Sequence, residues 1–341
     1  ARRGEAWRLW PRLALLNRPF LALSRMSARR QFRSDVSAQS WFEWQCHGRF
    51  FPGIAIFVCS VIFVVAFLRE GRYDSFGLMT CLIASFAWPI FASIGRGAEI
   101  ARMSPIWAKV DNSLEFVAIR PLTSWQVVAA KFRMTLRSVL IGCGIIVASI
   151  AAWIAITGHV DDAGLLWHGY AARYPGWRGF VLAGLGSLFF PFLIWRLMTD
   201  LLPIGLTGRR WLIGWITVLV VFVFTVIAGL PIHVWARPSD LRILAAFLPG
   251  VVVAAAILKF LTASWAYREC VRRGLMSARD PVFFLGGWAC ASILAAAFAM
   301  LLIPSGMVSI SPWVACLAAI ALVPLGRFPL AVLAFEWNRH R

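Results

Sequence analysis

Two charges sit where charge is costly. Arg196 and Asp200 lie four residues apart in an otherwise apolar run, WRGFVLAGLGSLFFPFLIWRLMTDLLP. That spacing puts both side chains on one helix face, where they can pair. Ionisable groups within a membrane helix are expensive and often functional. The competing reading is that both lie toward the cytosolic end of the run, where an arginine snorkels and a carboxylate is already wet. Lys259, near the cytosolic end of a later run, is explained by snorkelling alone. The other constellation suited to acid–base work is His159, Asp161, Asp162 and His168, in a loop assigned to the outside. Adjacent carboxylates in a loop more often form a solvated turn.

Other chemistries lack their motifs. No Gly-x-x-x-x-Gly-Lys-Ser/Thr stretch is present, so the chain does not bind ATP through a P-loop. The histidines are scattered, with no His-x-x-x-His pair, and the seven cysteines include no Cys-x-x-Cys. None of the cysteines falls in an outside loop, so neither a metal site nor a disulfide framework is expected. No catalytic residue, cofactor or metal ligand is assigned.

The elements that must position the charged pair follow from composition. Hydrophobic residues make up 60% of the 341 and charged residues 14%, with a mean hydropathy of +0.76. A soluble domain of this length could not cover its core with so few polar groups. About 20 apolar residues, rising 1.5 Å each, cross a bilayer core. Eight such runs are predicted, at 51–68, 76–95, 138–157, 179–203, 211–233, 243–263, 282–303 and 312–330. They are continuous rather than alternating, so the expectation is an all-α polytopic membrane protein and not a β-barrel. Pro324, Gly326 and Pro329 interrupt the last run, which reads as a broken or re-entrant helix.

The net charge of +19 would suit nucleic acid, but its placement argues for topology instead. The inside segments are 1–50, 96–137, 204–210, 264–281 and the C-terminal end. Together they hold 26 of the 34 Lys and Arg, counting Arg327 with the last. The outside loops hold six: Arg69, Arg72, Arg173, Arg178, Arg237 and Arg242. Lys and Arg concentrate on cytosolic loops, so the chain is read as N-in and C-in, its basic excess facing anionic lipid heads and not nucleic acid. Tryptophans near the span ends fit an aromatic belt.

Along the chain, 1–50 is a basic cytosolic linker ending in an interfacial helix, SDVSAQSWFEWQCHGRF, capped by Ser34 or Asp35 and carrying Trp41 and Trp44 one turn apart. The long inside connection 96–137 is predicted to hold two short helices. One is DNSLEFVAIR, ending before Pro121; the other, capped by Thr123 or Ser124, is TSWQVVAAKFRMTLRS and runs into the third span. Two helices and a proline elbow at the membrane surface are suited to receive a push from a soluble partner. Residue 1 is Ala with no initiator Met and no signal-peptide core near it, so more chain is expected upstream.

The stretch Leu114-Glu115-Phe116-Val117-Ala118-Ile119-Arg120-Pro121-Leu122-Thr123-Ser124-Trp125-Gln126, continuing to Lys131, resembles the cytosolic segment of type-two ATP-binding-cassette (ABC) exporter permeases. That family shows a Glu with apolar residues, an Arg-Pro or Leu-Pro step, a small polar residue and a Lys entering the third span. Trp41-Phe42-Glu43-Trp44 resembles the interfacial helix before the first span of such permeases, and Phe328 to Arg341 is similar to the tail of large bacterial proteins of this group. The resemblance covers the interfacial helix and six spans, 51–263, with 264–341 adding a loop, two more spans and a short tail. It implies a bacterial inner-membrane permease subunit that pairs with a second permease copy or half. It also implies docking of a cytosolic ATP-binding subunit through 111–131, with Glu115, Arg120, Pro121, Thr123, Trp125 and Lys131 as the contact residues. ATP hydrolysis would then belong to the partner, the chain itself being no enzyme. The two extra spans and the upstream continuation depart from the family's usual length and suggest the later part of a double-length permease. The alternatives are a membrane assembly or structural protein without transport, and a membrane-embedded lipid-modifying enzyme built on His159, Asp161, Asp162 and His168.

Overall fold

The computed structural model describes residues 34–69, 85–93, 122–158, 160–207, 238–302 and 312–339, together with Phe32, Gly97, Ile100, Trp215 and Val218. The described residues are overwhelmingly helical and contain no strand. Five helical stretches are long and apolar enough to cross a membrane: Asp35–Val65, Ser124–Thr157, Trp177–Leu206, Pro249–Arg272 and Asp280–Leu301. They correspond to the runs at 51–68, 138–157, 179–203, 243–263 and 282–303. The run at 211–233 lies almost wholly outside the described residues, and that at 76–95 is represented by helical residues 85–93.

Helix α1, Asp35–Glu43, begins where Ser34 accepts from the Ser37 amide while Ser37 accepts from the Ser34 amide. Reciprocal bonding of this kind satisfies two amides that a helix start leaves orphaned. A π-helical turn, Trp44–Gly48, joins α1 to α2, Phe50–Arg69. The turn brings the Trp44 ring over Gly48, where a Cβ would lie 2.4 Å from a ring carbon, so only glycine fits.

Helix α3 runs unbroken from Ser124 to Thr157. Thr123 is its N-cap, its amide donating to Gln126 Oε1 at 3.0 Å, and Gly158, at φ 73°, ends it in the left-handed conformation that glycine alone adopts without strain. At 34 residues it is about 51 Å long, against a hydrocarbon thickness of about 30 Å. As one continuous rod it is some 20 Å longer than the hydrocarbon is thick. The cytosolic helix expected at 123–138 and the third span are a single element.

Helix α4, Val160–Arg173, carries Asp161 and His168 in the connection to α5, Trp177–Asp200. Pro191 sits inside α5 without ending it. A short α6, Leu202–Leu206, completes the stretch. Helix α7, Pro238–Arg272, and α8, Asp280–Leu302, follow. The run at 312–330 is two helices rather than one: α9, Pro312–Leu322, and α10, Arg327–Arg339, are separated by residues 323–326. At 11 and 13 residues each is too short to cross a bilayer alone. Gly326 is needed at this break because a Cβ there would lie 2.9 Å from Ala263 Cα on α7.

Burial is uneven along the long axis. The largest core gathers the start of α3 (Val127, Val128, Met134), the end of α5 (Ile194, Met198), Leu202 and Leu206 of α6, Cys270 of α7, and Ala331, Val332 and Phe335 of α10. These positions share one end of the molecule. Away from it the helices are thinly covered, with only 11% of the apolar window buried in α5, α7 and α8. Ile56, Phe57, Val61 and Val64 of α2 stand open to the surroundings. Apolar faces of this extent require lipid or further apolar helices around them.

Candidate functional site

The polar groups converge on the well-packed end. Three arrangements hold it together, and an aromatic cavity borders the third, at Arg327.

The first joins α1 to α3. Lys131 is 0% and Glu43 2% exposed, and Lys131 Nζ lies 2.9 Å from Glu43 Oε2. The ammonium also donates to the Ile100 carbonyl at 3.1 Å, and Gln39 Nε2 donates to Glu43 Oε1 at 2.9 Å. A buried charge is tolerable when it is paired and its remaining lone pairs and protons are used, and both carboxylate oxygens here are engaged. Next to the pair, Ser138 Oγ donates to the Gly48 carbonyl at 2.7 Å, and the Arg137 guanidinium lies 4.6 Å from the Trp44 ring centroid. The π turn is what carries the chain from Glu43, aimed inward, to Phe51, which packs on Gly142 of α3.

The second bolts the start of α3 to α10. Ser124 Oγ hydrogen-bonds Glu336, and Arg339 Nη1 donates to the Leu122 carbonyl at 3.0 Å. The tail is thus fastened to the first turn of α3.

The third is the charged pair in α5. Arg196 and Asp200 do meet, at 3.9 Å between Nε and Oδ2. They are joined by Arg327 at the head of α10, which forms an ion pair with Asp200 and donates to the Arg196 carbonyl at 3.5 Å. One carboxylate therefore serves two guanidinium groups, and the cluster carries one excess positive charge.

Beside Arg327 lies a cavity of about 420 Å³. Trp125 and Phe132 of α3, Trp195 of α5, Tyr267 of α7, Phe284 of α8 and Phe328 of α10 are among its aromatic wall residues. Phe284 and Phe328 stack at 4.7 Å, Phe132 meets Phe328 edge-on at 5.4 Å, and the Trp195 indole is fixed by Thr135 Oγ1 at 3.2 Å. Arg133 and Arg327 also line it, and no acidic residue among the described ones does.

Of the residues expected to dock a partner, Glu115, Arg120 and Pro121 lie outside the described residues. Thr123 is exposed, at the tip of α3; Trp125 is half-buried in the cavity wall. Lys131 points inward, and its charge is spent on Glu43 rather than offered to a partner. Asp161 and His168 are exposed on α4, and His159 and the Asp162 side chain lie outside the described residues. Sequence reasoning did not single out Gln39, Arg327, Glu336 or Arg339 for any role, and it noted Glu43 only within the interfacial helix. A lone carboxylate between two interfacial tryptophans was the available signal for Glu43; nothing local marked the others. No family model, no curated protein and no solved structure matches the chain.

Proposed function

We propose that the chain is the transmembrane permease subunit of a type-two ABC exporter in a bacterial inner membrane. A separate cytosolic subunit hydrolyses ATP, and this chain, paired with a second permease copy or half, turns the resulting motion into substrate translocation. Both ends lie in the cytosol in this reading.

The observation that carries it is the continuity of α3. The helix starts at Thr123, within the segment that resembles a coupling loop, and proceeds without a break through the apolar span. A displacement applied at its tip is transmitted along a hydrogen-bonded rod instead of being absorbed in a loop. Its near end is tied to the interfacial helix by Glu43–Lys131 and to the tail by Ser124–Glu336, so a push there moves three elements together.

The experiment is purification of the full chain in mild detergent from its native membrane, beside a variant with 113–125 scrambled. An ATP-hydrolysing subunit is expected with the first and absent from the second. A partner retained by the scrambled variant removes 111–131 as the docking segment.

A further inference from the structure

The aromatic cavity has features that the coupling role does not use. It opens among the first turns of α3, the last turns of α5, the last turns of α7 and the first turns of α8. In an antiparallel bundle those four ends lie on one side, which the distribution of Lys and Arg assigns to the cytosolic leaflet. The cavity is therefore at headgroup depth. Its size falls within the range of small-molecule pockets, and its wall is apolar and aromatic apart from two arginines. Arg133 has no acidic partner among the described residues, and Arg327 belongs to a cluster in which two arginines share the single carboxylate of Asp200.

We propose that this cavity is a binding site for one anionic phospholipid of the cytosolic leaflet. The phosphate lies against Arg133 and Arg327, and the first part of an acyl chain lies along the aromatic wall. Charge selects the lipid: an excess of positive charge beside an apolar cleft favours a headgroup with net negative charge over a zwitterionic one. The site does not depend on the permease reading, since any protein with this cavity in a bilayer would present it to lipid.

The test is native mass spectrometry of the full chain in detergent, titrated with phosphatidylglycerol or phosphatidylcholine. One phosphatidylglycerol is expected to remain bound at concentrations where phosphatidylcholine does not, with a preference of at least tenfold. Arg133→Gln should reduce that preference several-fold, whereas Arg137→Gln, whose guanidinium rests on Trp44, should leave it intact. Gly287 lines the cavity and a Cβ there meets nothing within 4 Å, so Gly287→Phe should fold and exclude the lipid by filling the space. Equal retention of the two lipids overturns the proposal. So does equal loss in the Arg133 and Arg137 variants, which would mean diffuse attraction to a basic surface, or full retention by Gly287→Phe.

Discussion

At the scale of single residues, the charged groups differ in what surrounds them, and so in what their removal should cost. Glu43 and Lys131 are wholly enclosed. Lys131→Ala leaves a buried carboxylate with Gln39 as its remaining partner, a loss of about 3–5 kcal/mol by comparison with broken buried pairs. Replacing both residues with methionine should cost much less, since no unpaired charge remains. Unfolding in detergent of the two singles and the double measures the coupling; additive losses would mean the pair does not act as a unit. Around Asp200 the order is different. Asp200→Ala brings two guanidinium groups face to face, whereas Arg196→Ala leaves the Arg327–Asp200 pair in place. The aspartate variant should therefore be the less stable, by about 1–2 kcal/mol, below the fully buried case because these side chains keep some exposure. Equal stability would show that Arg327 does not share the carboxylate. The α5 pair was legible from its four-residue spacing alone. Arg327 was not, because it comes 127 residues after Asp200 and only the break between α9 and α10 brings it there.

At the scale of elements, local rules read the helices well where the signal was local. Of the candidate caps Ser34 or Asp35 and Thr123 or Ser124, Ser34 and Thr123 serve; Pro324 and Gly326 do fall at a break in the last run, whereas Pro329 lies within the first turn of α10. The run of α3 from its cap at Thr123 into the third span was legible in the sequence; what local pattern could not reveal is that a π turn sets the register between α1 and α2. That turn is a tertiary outcome, fixed by the fit of Trp44 over Gly48, while α1 and α10 pack on α3. Close approach of α2 to α3 rests on Gly142, whose added Cβ would lie 2.5 Å from the Phe51 ring. Gly142→Ala should destabilise by about 1–3 kcal/mol through overpacking. Gly144→Ala, two residues on with nothing within 4 Å, should be neutral or stabilise by up to about 1 kcal/mol. Thermal unfolding of the pair checks this, and a Gly142 variant as stable as the Gly144 variant would mean the helices do not pack so closely.

At the scale of the molecule, a compact end and a sparsely covered remainder divide the labour. The packed end holds the ion pairs and the core of α3, α5, α6 and α10; the thinly buried helix faces are left for lipid or other apolar helices to cover. The orientation assigned from charge is testable separately. In a background lacking reactive native cysteines, an impermeant thiol reagent applied to intact cells should label Asp161→Cys and spare Thr123→Cys until the membrane is opened. The reverse pattern would invert the topology and place the α3 tip outside, where no ATP-hydrolysing subunit could reach it. Composition and run length established the membrane class because every residue contributes to them. The setting of Lys131 was less accessible to sequence, since it lies within the stretch read as a docking segment and yet packs into the core against Glu43.

The most direct measurement of the central claim is the identity and stoichiometry of the chains that accompany the full-length protein when it is extracted from its native membrane into nanodiscs. A P-loop ATPase present at one copy per permease half, whose presence protects Thr123→Cys from labelling, is the expected result. A preparation with no ATPase and no ATP turnover would contradict the permease account and leave α3 a structural strut rather than a lever.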